Sequence, residues 1–197
     1  MSFDSAFEKT VGLEGGYGCD PDDKGNWTGG AIGSGELRGT KYGISAAAFP
    51  YEDIKNLTLD RAKMLYQINY WNLLNLDEVP SDPIQEEIFD TGVNMGPGAS
   101  AMIVQRSINF LEIGKPLLVD GAIGPVTLGY IKKWCGKDPE ALFKVLNGFQ
   151  FIRYSEMADS GIMEKYSRGW MQRIQNYKTG KPVVIVEKTW FEKIFGK

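Results

Sequence analysis

Glu14 stands directly before Gly15-Gly16, at the end of a stretch in which Phe3, Phe7 and Val11 recur at i, i+4 and i+8. That spacing predicts a first helix capped by Ser2 or Asp4 and stopped by the glycine pair. On such a helix Glu14 falls three residues after Val11, on the apolar stripe. Burial and the negative end of the helix dipole both raise a carboxyl pKa there. An acid kept protonated near neutral pH donates a proton to a leaving oxygen. The same position also fits an ordinary last-turn glutamate bent out to water. Shortly after it comes the acidic turn Cys19-Asp20-Pro21-Asp22-Asp23-Lys24-Gly25. Its carboxylates can orient a water or bind a sugar hydroxyl, although Asx-Pro turn chemistry explains part of the cluster without any function. The alternating ligands and distant Glu of a calcium loop are missing. A protonated Glu near an ionised Asp is the pair that glycoside hydrolysis uses.

Composition narrows the chemistry further. The chain has 197 residues and no histidine, which removes the common Ser-His-Asp and Cys-His mechanisms and nearly all catalytic zinc sites. Two cysteines, Cys19 and Cys135, are too few for a disulfide framework or an all-thiolate zinc site, and Cys19 has no histidine to activate it. No metal or cofactor is expected. A net charge of −3 argues against a nucleic-acid partner. That charge is uneven: residues 1–60 carry net −5, and the last twenty residues carry net +3.

The elements that must position these groups are mostly helical. Leu59, Ala62, Leu65 and Tyr66 predict a helix over 58–71 capped by Thr58, and Ile84, Ile88 and Val93 one over 82–95. After the joint Met95-Gly96-Pro97-Gly98, residues 99–111 present Met102, Ile103, Ile108 and Leu111 as an apolar face. Pro125 starts a short helix through Trp134, and Asp138-Pro139 caps a longer one to about Ala158. Another is expected over 163–177, then a short β-branched stretch at Pro182–Val186. Ten glycines within 15–43 predict a loop or irregular hairpin. Trp71, Trp134 and Trp170 sit at apolar helical positions and read as core.

Read in order, the motifs resemble the glycoside hydrolase family 108 muramidases. They are Glu14-Gly15-Gly16-Tyr17, Asp20-Pro21-x-Asp23-x-Gly25 and Thr40-Lys41-Tyr42-Gly43-Ile44-Ser45. Tyr70-Trp71 and Phe89-Asp90-Thr91-Gly92-Val93-Asn94-Met95-Gly96-Pro97-Gly98 extend the likeness. Gln105-Arg106, the turn from Asp120 to Thr127 and Gly169-Trp170 resemble the family's predicted peptidoglycan-binding half. The segment between Gly25 and Thr40 is longer than the family's usual joint, and Ser45 replaces its usual Thr.

The resemblance implies a mainly α, lysozyme-like two-lobed fold with a small irregular hairpin near 16–45. It implies a catalytic region over 1–95 and a wall-binding helical region over 96–177 in the same compact unit; the charge distribution separately marks a basic tail over 178–197. Glu14 is then the general acid for the β-1,4 bond between N-acetylmuramic acid and N-acetylglucosamine. Asp20, Asp23 and Thr40 are the groups around the attacking water, with the choice among them open. Tyr42 and Asn94 belong with substrate binding, Asn94 alternatively capping its own joint. Trp27, in the insert, either stacks on a sugar ring or packs back on the domain. The glycan strand is the expected partner of a monomeric phage endolysin, with a lytic transglycosylase or a non-catalytic wall-binding or secretion-assisting protein as the alternatives. No apolar stretch reaches the roughly 18–20 residues of a membrane span, and the N-terminal stretch lacks an apolar signal core. A cytoplasmic start followed by action at the wall is expected. Trp190, Phe191, Ile194 and Phe195, set among lysines, make 188–197 an amphipathic segment that either touches anionic lipid or docks on the body.

Overall fold

The structure, a computed structural model, describes residues 2–12, 15–114, 116–157 and 173–174. Helix α1 covers Phe3–Thr10, with the Ser2 hydroxyl accepting from the Ser5 amide at 3.3 Å. It ends a turn earlier than the Gly15-Gly16 stop. The amides of Val11 and Gly12 both return to the Phe7 carbonyl, at 2.8 and 3.3 Å. Gly12, at φ 77°, is the first residue able to take the left-handed conformation that closes the helix cheaply. Glu14 lies outside the described residues, and the helical stripe that would have buried it stops short of its position.

Helix α2, Leu59–Tyr66, is capped by the Thr58 hydroxyl and continues as a π-helical turn over Gln67–Asn72. That turn delivers Trp71 fully into the core, where its indole N–H donates to Asp77 at 2.8 Å. Helix α3, Asp82–Met95, is the central element. Its residues from Ile84 to Gly92 are nearly all buried because it packs on α1 and on the helices over 97–111 and 139–157. Helix α4, Pro97–Leu111, leaves α3 through Gly96 at φ 88°. Its inward face is Ala101, Ile103, Val104 and Ile108, while Met102, expected on that face, turns outward. Helices α5, Pro125–Lys137, and α6, Pro139–Met157, each begin on a proline; the Asp138 carboxylate caps α6 by accepting from Ala141 at 2.9 Å. One apolar cluster runs from Ala6 and Phe7 through Trp71 and Phe89 to Trp134 and Leu146.

Against this helical body sits a lobe of loops. Strands β1, Thr40–Lys41, and β2, Ile44–Ser45, pair antiparallel with Thr40 opposite Ser45 and Lys41 opposite Ile44. Tyr42 and Gly43 turn the corner at φ 51° and 73°, the two positive angles of a tight hairpin turn. The Tyr66 hydroxyl donates to the Tyr42 carbonyl at 3.2 Å and holds that turn against α2. The insert after Gly25 folds as a second hairpin, with Trp27 bridged to Leu37 and the Thr28 amide on the Glu36 carbonyl at 2.9 Å. The fold is thus mainly α with a small hairpin lobe, as expected. The helix expected over 163–177 (apart from 173–174), Trp170, the Pro182–Val186 stretch and the segment 188–197 lie outside the described residues.

Candidate active site

Chain order puts Glu14 directly before Gly15, and Gly15 is where the lobe closes on itself. The Tyr42 amide donates to the Gly15 carbonyl at 3.3 Å, and a Cβ on Gly15 would lie 2.6 Å from Tyr42 Cα. Only glycine lets the two backbones approach that closely. Three residues on, Gly18 and Thr40 exchange both backbone bonds, at 2.9 and 2.7 Å. The segment entering from Glu14 therefore runs alongside the strand carrying Thr40.

The Thr40 hydroxyl donates to Asn26 Oδ1 at 2.8 Å. Asn26 is only 3% exposed, and its Nδ2 donates to the Asp20 carbonyl at 3.0 Å. Its own carbonyl accepts from the amides of Arg38 and Gly39, at 2.9 and 3.1 Å. This buried amide ties the acidic turn to the Thr40 strand. Because the hydroxyl spends its hydrogen on Asn26, its oxygen remains an acceptor, the arrangement that orients a water.

Asp20 and Asp23 are both exposed. Asp20 Oδ1 accepts from the Asp22 amide at 3.0 Å, and Asp23 Oδ1 from the Gly25 amide at 2.8 Å, where it caps the short turn Lys24–Asn26. Each carboxylate thus uses one oxygen in Asx-turn bonding. Half-buried Trp27 donates its indole N–H to the Pro21 carbonyl at 2.8 Å, bracing the turn from the insert side. Tyr42 is half-buried with Lys41 Nζ 5.4 Å from its ring centre. Asn94, near the end of α3, is exposed, and among the described residues its bonds stay within α3, to the Asp90 carbonyl at 2.9 Å and carboxylate at 3.2 Å. The lobe therefore gathers Asp20, Asp23, Trp27, Thr40 and Tyr42, while Asn94 stands on the body. Cys19 and Cys135 are free thiols, and burial pushes Cys135 up to about 11, away from nucleophilic use.

Three groups were not singled out in the sequence. Asn26 is one; a lone Asn in a glycine-rich loop carries no periodicity that would mark it. The others lie where α3 meets α6. Glu87 is 1% exposed and, among the described residues, neither carboxyl oxygen reaches a hydrogen-bond donor at good geometry. Burial, then the charge of Asp90, push its pKa up to about 8, against a weaker opposing pull from Asn147 and Thr91. Asp90, also buried and also raised by burial, is met by Arg173 at 2.6 Å, whose charge pulls the other way. Next to it the Gln150 amide donates to the Thr91 hydroxyl at 2.9 Å.

A helical body with a small hairpin lobe, in which the strand carrying Thr40 pairs with the segment entering through Gly15 and Gly18, is the architecture of lysozyme-like proteins. Residues 7–96 match the model of the family described as "Glycosyl hydrolase 108", and residues 99–175 match "Predicted Peptidoglycan domain". The chain belongs to the glycosyl hydrolase 108 family, and it continues into a peptidoglycan-directed domain. By these two regions it is a peptidoglycan-degrading glycosidase. Among solved structures the chain is similar to one titled "Structure of Brucella abortus SagA", with a TM-score of 0.65 and 23% identity over 87% of this chain and 88% of that one. That likeness shows a shared fold. No protein of curated function matches the chain. No described helix is long and apolar enough to cross a membrane.

Proposed function

We propose that the chain is an N-acetylmuramidase that hydrolyses the β-1,4 bond between N-acetylmuramic acid and N-acetylglucosamine, with Glu14 as general acid. The observation that supports this most is the double backbone bond between Gly18 and Thr40, which sets an acceptor hydroxyl alongside the segment beginning at Glu14. Glu14 donates its proton to the glycosidic oxygen as the C1–O bond breaks. A water held by the Thr40 hydroxyl attacks C1, and the water's proton leaves to Asp20 or Asp23 at the acidic turn. Each aspartate keeps its second oxygen available for that step. Trp27 braces the turn, and Tyr42 and Asn94 face substrate from the lobe and the body.

Release of reducing ends from purified peptidoglycan tests the assignment. Glu14→Gln is expected to lower the rate by about a thousandfold, the usual scale of a general acid. Equal rates for the two proteins would remove Glu14 from that role. Mass spectrometry of the products separates hydrolysis, which leaves a reducing sugar, from transglycosylation, which leaves an anhydro sugar. Sedimentation with walls and no product at all would indicate a binding or secretion-assisting protein.

In this reading the molecule is a monomeric phage endolysin, held in the cytoplasm until lysis and then acting on the wall. Residues 1–95 carry catalysis and 96–177 hold the wall, while 188–197, basic and aromatic by sequence, either contacts anionic lipid or docks on the body.

A further inference from the structure

Two uncommon backbone features meet at one buried hydroxyl. The first is Tyr42, which holds φ 51°, a left-handed conformation that a bulky side chain rarely takes. The second is the π-helical winding over Gln67–Asn72, directly after Tyr66 at the end of α2. Such windings are rare and gather at functional sites. Between the two stands Tyr66, 3% exposed, whose hydroxyl donates to the Tyr42 carbonyl at 3.2 Å. Burial pushes that phenol well above its ordinary range, so it keeps its proton and stays a donor. Its ring meets Phe7 of α1 edge-on, with centroids 5.4 Å apart. Within the π-helical winding, Trp71 meets Phe3, one turn earlier on α1, at 5.7 Å. These two contacts fix α1, the helix from which the chain runs on to Glu14.

On its other side the hydroxyl shapes the hairpin corner. A Cβ on Gly43 would overlap the Tyr66 oxygen, so the turn is built around that atom. Tyr42 commits its remaining backbone group to the residue after Glu14, its amide donating to the Gly15 carbonyl at 3.3 Å. Thr40 stands two residues before Tyr42 on the same hairpin. Packing alone does not call for a hydroxyl at position 66, because phenylalanine would make the same ring contacts. We propose that Tyr66 is a positioning residue for the glycosidase reaction: its hydroxyl pins the left-handed Tyr42 turn and so sets the register between the Gly15 segment and the Thr40 strand. Without that bond Tyr42 relaxes toward negative φ, and its peptide rotates away from Gly15. Tyr66 is buried and acts only through Tyr42. The proposal rests on the muramidase reading for the identity of the groups that are spaced.

The test compares two variants of the full chain. Tyr66→Phe keeps the ring and loses the hydroxyl; Ser100→Ala deletes a hydroxyl equally buried in the helical body, bonded to the Ile88 carbonyl at 2.8 Å. Each leaves one carbonyl without its side-chain donor, so the two melting temperatures should fall by similar amounts. On soluble peptidoglycan fragments Tyr66→Phe is expected to lower kcat about tenfold at unchanged KM, within the roughly hundredfold cost of misplacing a reacting group by about 1 Å. Ser100→Ala should keep the wild-type kcat. Tyr66→4-aminophenylalanine, which returns an N–H donor to the same place, should recover most of the loss. An unchanged kcat in Tyr66→Phe, an equal fall in Ser100→Ala, or no recovery by the amino variant would overturn the proposal. If the wild type releases no product, the muramidase reading fails separately, and hydrogen exchange decides Tyr66. Faster exchange of the Gly18, Thr40 and Tyr42 amides in Tyr66→Phe than in Ser100→Ala supports the positioning role, and equal exchange overturns it.

Discussion

The side chain of Asn26, itself buried, donates to the Asp20 carbonyl and accepts from Thr40, so truncating it strands both partners and removes the tie between the acidic turn and the Thr40 strand. Asn26→Ala is expected to cost about 2 kcal/mol of stability, the penalty for unpaired buried polar groups, and to lower turnover as much as Thr40→Ala does. Urea unfolding with parallel rate measurements checks this, and full activity in Asn26→Ala would refute the role given to the network. Glu87 makes the opposite case, a buried acid whose removal helps. Its folded pKa of about 8 lies above the ordinary 4.5 of a glutamate. Between those values the folded chain binds more protons than the unfolded one, so stability falls as pH rises through that window. Glu87→Gln should leave stability near pH 4 unchanged and raise it at pH 8, by on the order of 3 kcal/mol. Parallel pH–stability curves for the two proteins would refute this. Position 87 lies three residues after Ile84, on the same face, but glutamate by type argues for solvent. Among the described residues the packing of α6 on α3 brings Asn147 beside it, and nothing local in the sequence reports that packing. Asn26 was hidden for a similar reason, since its partners stand six residues before it and fourteen after it.

At the scale of elements, Gly39 is the joint on which the lobe depends. It sits at φ 81°, and a side chain there would overlap the Gly18 carbonyl and crowd Tyr17. Gly39→Ala should break the Gly18–Thr40 pairing, lower stability by about 2 kcal/mol and remove most activity. Gly16→Ala, with open space around it and no positive φ, serves as the near-neutral control. Thermal melting and turnover of the two variants provide the comparison, and equal behaviour would remove the strain argument. The helices were legible because their starts carry local chemistry: Ser2, Thr58 and Asp138 as caps, and Pro83, Pro97, Pro125 and Pro139 in first turns. Ends are less legible. Two glycine signals compete after α1, and the earlier, Gly12, takes the left-handed position. The Asx turns at Asp20 and Asp23 follow from local residue types, but the cross-bonds from Trp27 to Pro21 and from Thr40 to Asn26 have no periodicity to announce them.

At the scale of the molecule, α3 belongs to the hydrolase-matched region yet packs on α4 and α6 of the peptidoglycan-matched region. The Asp90–Arg173 pair fastens the two together. Arg173→Ala would leave a carboxylate buried without its partner and should destabilise the whole chain by about 3 kcal/mol. A single cooperative denaturation curve shifted to lower urea is the expected record, and an unshifted curve would refute the coupling. The lobe is built on another principle. From residue 16 to residue 39 only Asn26 and Gly39 are buried, and neither brings an apolar side chain to the common core. That stretch is secured by directed polar bonds, and the body's stability is secured by non-directional packing elsewhere. Substrate preference and thermal robustness can therefore be inherited as separate traits: the hairpin tip can lengthen, shorten or exchange residues while the helices beneath keep the same partners.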